Sequence, residues 1–235
     1  MKSLIGRKIG MTEVFAADGT MYPVTVVEVL PNVVLGKKTL EKDGYEALVV
    51  GYEDKAERKA SKSEKGMLKA SGSTPKSVVL ELKGDEIYGK ALGESFGAEL
   101  FANGEVIDVI GHNKGHGYSG TIKKYHHSIG PKGHGSGYHR GIGSLANNGR
   151  DNNRVIPGKK MSGHWGPEQV TVQNLTVVES NSEKGYILVK GGVPGPKKAY
   201  VVLRSPVKTQ FKKPVVKPLV DLTPKAPEQP AEKGE

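Results

Sequence analysis

The stretch at residues 111–143, "GHNKGHGYSGTIKKYHHSIGPKGHGSGYHRGIG", limits the chain more than any other. It is mostly glycine, histidine and cations, with Ile122, Ile129 and Ile142 as its only aliphatic side chains. So little apolar surface cannot offset the conformational entropy lost on ordering, and the stretch does not fold by itself. The rest of the molecule has to hold it.

Charge is concentrated in the same place. Residues 111–164 carry nine cations (Lys114, Lys123, Lys124, Lys132, Arg140, Arg150, Arg154, Lys159 and Lys160) against one acid, Asp151. All seven histidines fall in this window, and the 26 cations and 24 acids elsewhere nearly cancel. A nearly neutral body therefore carries one basic segment, which holds +8 of the formal net charge of +10.

The flanks read as that body, and they read mainly as strands. "YPVTVVEV" (22–29), "ALVVGY" (47–52), "SVVLEL" (77–82), "VIDVI" (106–110), "VTVQNLTVVES" (170–180), "YILVKGGV" (186–193) and "AYVVL" (199–203) are short and β-branched, and several alternate. Asp18-Gly19 and Asp43-Gly44 stand where tight hairpin turns would need positive φ. Together these predict a mainly β fold, a barrel or a sandwich. With 235 residues, one globular domain with an inserted lobe is expected.

Helix signals are weaker. Residues 53–70 have good helix formers but hardly any apolar face, which suits a surface helix or loop. "GESFGAELF" (93–101) has the pattern of one short helix, and residues 209–235, rich in proline and mixed charge, read as a disordered tail. The chain has no cysteine, which excludes disulfides and thiolate metal sites. No signal-peptide run and no apolar run of transmembrane length occurs, so a soluble cytoplasmic protein is expected.

The basic segment begins directly after one strand and ends just before another, so it is an extension held at both ends. Gly115-His116-Gly117-Tyr118-Ser119-Gly120 matches G-x-G-x-x-G after a strand. A dinucleotide site also needs a following helix and an acid about 20 residues on; here glycine and proline intervene and Arg140 stands in the acid's place. Zinc would need carboxylate partners for His112, His116, His126 and His127, and only Asp151 is near in sequence. Ser119, Ser128, Ser136 and Ser144 lack a Gly-x-Ser-x-Gly elbow and a carboxylate to orient a histidine, so no catalysis is expected. A solvated loop without a partner would ordinarily balance its cations with Glu and Asp, of which this segment has only Asp151. Nucleic-acid binding explains the composition best: cations meet phosphates, glycines let the backbone approach, and Tyr118, Tyr125, Tyr138, Trp165 and the histidines stack on bases or reach sugars.

Several runs also carry a family resemblance. "MKSLIGRKIGMTEVF", "YPVTVVEV", "KGHGYSGTIKKY", "HGSGYHR", "GKKMSGHWGPEQVTVQNLTVV" and "ILVKGGVPGP" occur in the order found in large-subunit ribosomal protein three, and the likeness covers about residues 1–207. The chain resembles the bacterial or organellar form. That resemblance implies a translation-factor-like β-barrel (residues 1–110 and 165–208), a small inserted α+β lobe near residues 55–95, and the extension at 111–164. It implies direct binding of 23S-type ribosomal RNA near its 3′ end, early assembly of the large subunit, and a loop running toward the peptidyl transferase centre.

Expected RNA contacts along the stem are Lys114, His116, Tyr118, Lys123, Lys124, Tyr125, Lys159, Lys160, His164 and Trp165. Farther out come His126, His127, Lys132, His134, Tyr138, His139, Arg140, Arg150 and Arg154. Expected partners are large-subunit RNA and neighbouring ribosomal proteins, with no membrane and no small-molecule substrate. No cofactor is expected beyond magnesium held by the RNA. At the tip many bacterial relatives have "PGSIGQ", with a glutamine that some methylate, whereas residues 141–157 contain no glutamine. Composition alone does not separate a ribosomal component from an RNA chaperone or assembly factor that leaves the mature subunit.

Overall fold

The computed structural model describes residues 1–69, 71–145, 154–208 and 215–220. The chain first forms β1 (Ser3–Phe15), β2 (Met21–Glu28), β3 (Asn32–Lys38), β4 (Ala47–Asp54), β5 (Lys76–Leu82), β6 (Ser95–Phe96) and β7 (Val106–His112). In the basic segment lie β8 (Gly117–Ser119) and β9 (Gly163–Trp165), and β10 (Gln169–Asn181), β11 (Tyr186–Lys190) and β12 (Tyr200–Arg204) return to the body.

Six strands close a barrel in the order β1-β12-β7-β10-β11-β2, with every neighbouring pair antiparallel. Alternation drives this: in β2, Tyr22, Val24 and Val27 are buried while Met21 and Pro23 face solvent. The choice between barrel and sandwich is settled by closure.

A second sheet, β5-β4-β3-β6, packs against the barrel. Leu4, Ile5 and Val27 of the barrel share one continuous core with Leu48, Val50 and Tyr52 of this sheet. Polar contacts reinforce the junction. Arg7 of β1 donates to Glu53 of β4 at 2.7 Å, and the Tyr200 hydroxyl of β12 donates to the same carboxylate at 2.7 Å. Tyr52 is fully buried and donates to the Glu28 carbonyl at 3.0 Å, and burial pushes its phenol up to about 12.

One buried carboxylate shapes the barrel strand that leads back from the basic segment. Asp108 of β7, with no exposed surface, accepts from the backbone N–H of Asn174 at 2.9 Å and of Val207 at 3.1 Å. Asn174 lies at φ 59° within a register shift between Val172 and Leu175 of β10. The carboxylate thus satisfies a backbone donor that the bulge removes from the ladder.

Several expectations need correction. The second sheet begins at Asn32, so the lobe takes in much more chain than residues 55–95. Asp43-Gly44 does not form a two-residue hairpin turn; Leu40–Asp43 is a helical turn, α1, that Gly44 caps. The surface helix expected within residues 53–70 does form, as α2 at Lys62–Leu68, which follows a 3-10 turn at Glu57–Lys59 and starts in a reciprocal capping box between Ser61 and Glu64. Residues 93–101 split into β6 and a 3-10 turn at Ala98–Leu100, because Phe96 is drawn into the core as β6 pairs with β3. Another short helix, α3, spans Asp85–Tyr88. In the tail read as disordered, residues 215–220 lie against the barrel, where Val216 and Leu219 gain apolar contacts that local composition does not reveal. The rest of the tail lies outside the described residues.

Candidate nucleic-acid interface

The extension grows out of the barrel's own ladder. In β7 and β10, His112 pairs with Gln169 and Gly111 with Val170. Asn113 continues the pairing, donating its N–H to the Glu168 carbonyl at 2.9 Å while its side-chain oxygen accepts from the Glu168 N–H at 2.8 Å. Farther out, the His116 N–H meets the Trp165 carbonyl at 2.8 Å, and β8 and β9 pair Gly117 with Trp165, Tyr118 with His164 and Ser119 with Gly163. Between the two runs Gly166 sits at φ 66°, where a Cβ would come within 2.5 Å of the Lys114 carbonyl oxygen. Only glycine fits this bend.

Rings brace the stem. His116 stacks on Trp165 at 4.0 Å between centroids and 22° between planes, and Tyr118 meets His164 edge-on at 5.6 Å. A short helix, α4 (Thr121–Tyr125), follows β8, and Lys124 donates across to the His164 carbonyl at 2.9 Å. The ammonium groups of Lys124 and Lys160 lie 5.3 and 5.6 Å from the centre of the Tyr125 ring. His126 takes φ 57° and ends α4.

Beyond the stem the chain folds around Tyr138. The Gly130 N–H donates to the His139 carbonyl at 2.9 Å, His139 Nδ1 donates to the Pro131 carbonyl at 2.8 Å, and the Tyr138 hydroxyl donates to the Gly141 carbonyl at 2.6 Å. A Cβ on Gly130 would fall 2.2 Å from the Tyr138 carbonyl oxygen and 2.7 Å from its ring. Glycine here makes room for an aromatic side chain.

Electrostatics set this surface apart. Lys114, Lys123, Lys132, Arg140, Arg154, Lys159 and Lys160 are exposed, and Lys124 is half-buried. Among the described residues, none of these cations has a carboxylate within ion-pair distance, whereas body cations such as Lys2, Lys55 and Lys76 pair with Glu105, Glu64 and Asp54. Exposed Ile129, Val155, Ile156 and Met161 accompany them. His127 is half-buried beside Tyr125, while His126 and His134 are exposed. Arg150, its neighbour Asp151 and the middle of the tip lie outside the described residues.

Two supports escaped sequence reading. Lys8 is buried, and its Nζ donates to the carbonyls of Val193 at 2.7 Å and Gly195 at 2.9 Å. Burial, and then the charge of Lys114, hold its pKa below the ordinary lysine value. Asn113 is the other support, and neither carries a composition signal. Among the described residues, no group of three or more His, Cys, Asp or Glu could hold a metal ion. The glycine-rich match at 115–120 leads into a helix of five residues.

The sequence also has relatives. The family model described as Ribosomal protein L3 matches residues 90–185. The large ribosomal subunit protein uL3 of Oceanobacillus iheyensis is 48% identical over 207 residues, covering 88% of this chain and 98% of that protein. The protein of the same name from Spiroplasma kunkelii is 47% identical over 208 residues, covering 88% and 79% of the two chains. That from Halalkalibacterium halodurans is 44% identical over 209 residues, covering 89% and 99%. Identity at this level across the barrel and the ribbon together is far more than a shared fold would require, and the chain belongs to the ribosomal protein L3 family.

Proposed function

We infer that the protein is a structural constituent of the large ribosomal subunit, in the cytoplasm, and that it has no catalytic activity of its own. Its extension binds 23S-type ribosomal RNA directly near the 3′ end, helps nucleate early assembly, and runs inward toward the peptidyl transferase centre. Neighbouring ribosomal proteins and RNA are its partners.

One observation carries this reading: a ribbon rigidly rooted in the barrel presents exposed lysines and arginines that no carboxylate of the described chain neutralises. Unpaired cations on a glycine-rich backbone suit close-packed phosphate, and the stacked and edge-on rings of the stem offer faces for bases and sugars. RNA would supply the packing partner that the extension's own composition withholds.

Sedimentation of a cell extract at moderate and then high salt tests it, with the intact chain run beside a version lacking residues 113–163. The intact chain is expected to stay one-to-one with large subunits, and the shortened one to be lost or to stall in precursors. Release of the intact chain into soluble fractions would instead make it a transient assembly factor.

A further inference from the structure

The far end of the β1–β2 hairpin has an exposed strand edge, and the chain covers it with itself. β12 pairs with β1 only as far as Arg7, so the outer half of β1 has β2 on one side and no barrel strand on the other. Residues 215–220 run antiparallel along that edge at its tip. Ala16 stands opposite Leu219, the Ala17 N–H donates to the Pro218 carbonyl at 2.9 Å, and the Val220 N–H donates to the Phe15 carbonyl at 2.9 Å.

Side chains repeat the match. Val216 and Leu219 pack on the cluster formed by Ala16, Tyr22, Val24, Val178 and Leu188, which is separate from the main core. Lys217 is ion-paired to Asp18 in the hairpin turn. The segment forms one wall of a groove of about 1140 Å³ whose other walls include Val14, Asn103 and Tyr186. Pro218 has no N–H to return to Ala17, so that pair keeps a single bond, and among the described residues the added ladder has two bonds.

We propose that the outer edge of β1 is a strand-addition site for an extended apolar segment with one central cation, and that this chain's own residues 215–220 are its occupant. The tail so placed denies the tip of that edge to other strands. Met11, Phe15 and Met21 are exposed on the same hairpin, and an uncovered edge beside such side chains is a template for pairing between molecules. Apolar contacts give the site its affinity, the two backbone bonds fix direction, and Asp18 selects a cation at the position of Lys217.

The test uses the full chain and a version ending at Lys208. A labelled peptide of residues 213–221 (KPVVKPLVD) should bind the shortened chain at least tenfold more tightly than the full chain, and Asp18→Lys should cost the shortened chain about tenfold in that affinity. Equal binding to both chains, or none to the shortened one, overturns the proposal. Hydrogen exchange in the full chain gives a reading independent of truncation. The Ala17 and Val220 amides should be protected, less so in Asp18→Lys or Lys217→Glu alone, and again in the double charge reversal. Exchange at unstructured-peptide rates in the full chain, or protection that vanishes when a dimer is diluted to monomer, refutes an occupant from the same molecule.

Discussion

Asn32 pairs with the backbone of Ile5 as if it were a neighbouring strand residue: its Oδ1 accepts from the Ile5 N–H at 3.0 Å and its Nδ2 donates to the Ile5 carbonyl at 3.0 Å. The same amide donates to the Leu30 carbonyl at 3.0 Å, and the side chain is wholly buried. It stands where the chain leaves the barrel for the second sheet. Asn32→Ala should destabilise the fold by about 3 kcal/mol, because buried backbone groups lose partners that water cannot replace. Asn32→Asp should cost a comparable amount, since a carboxylate facing two carbonyls donates nothing. Denaturant midpoints read both, and a loss of only a few tenths of a kcal/mol would mean the pairing contributes little.

Binding of a large-subunit RNA fragment should weaken steeply with salt. If all nine cations of the extension meet phosphates, the log–log slope is roughly −6 to −8, and Lys159→Gln with Lys160→Gln should flatten it by about 1.5. Titrations at several salt concentrations measure the slope. An unchanged slope would place those two lysines away from the RNA.

Trp165→Ala removes the ring on which His116 stacks. RNA affinity should fall about fivefold through a loosened stem, in line with roughly 1 kcal/mol for a stacked pair. The barrel's denaturation midpoint should hardly move, because Trp165 lies outside both apolar clusters. Trp165→Phe should restore most of the affinity, and faster exchange of the His116 amide in the Ala variant would locate the effect in the stem.

Acid should weaken the hold of the hairpin on the tail. Lys217, helped by Thr20, holds the Asp18 carboxyl down to about 2, below its ordinary 3.8. The docked state therefore favours the carboxylate. Its contribution is complete above the ordinary value and is lost as pH falls through about 2. An NMR titration of the Asp18 carboxyl should show that low midpoint, and Lys217→Gln should return it toward 3.8. A midpoint unaffected by the substitution would mean the ion pair does not form in solution.

Strands such as β2, β7 and β10 were legible because β-branched alternation is local and a barrel rewards it directly. The basic segment was legible for a different reason: an excess of cations is a property of composition and survives ignorance of the fold. The stack of His116 on Trp165 was not, since the two rings are brought together only when β8 and β9 pair. Residues 215–220 misled for the same reason. Pro218 and the prolines on either side of the segment argue for disorder locally, while the partners that order Leu219 and Lys217 are Ala16 and Asp18, near the other end of the chain. Likewise Ser95–Phe96 looks helical in isolation and becomes a strand because β3 offers an edge.

The Asn113–Glu168 bonds make the ribbon an outgrowth of the barrel wall rather than a tether. Its aim is accordingly a property of the barrel: to swing the ribbon sideways, β7 and β10 would have to slip in register, turning Ile107 and Val109 out of the core. Reach, by contrast, belongs to the residues between Ser119 and Gly163. Lengthening or trimming that stretch should change how deep the protein probes and leave its bearing alone, so a shorter tip is a change of depth gauge and not of compass.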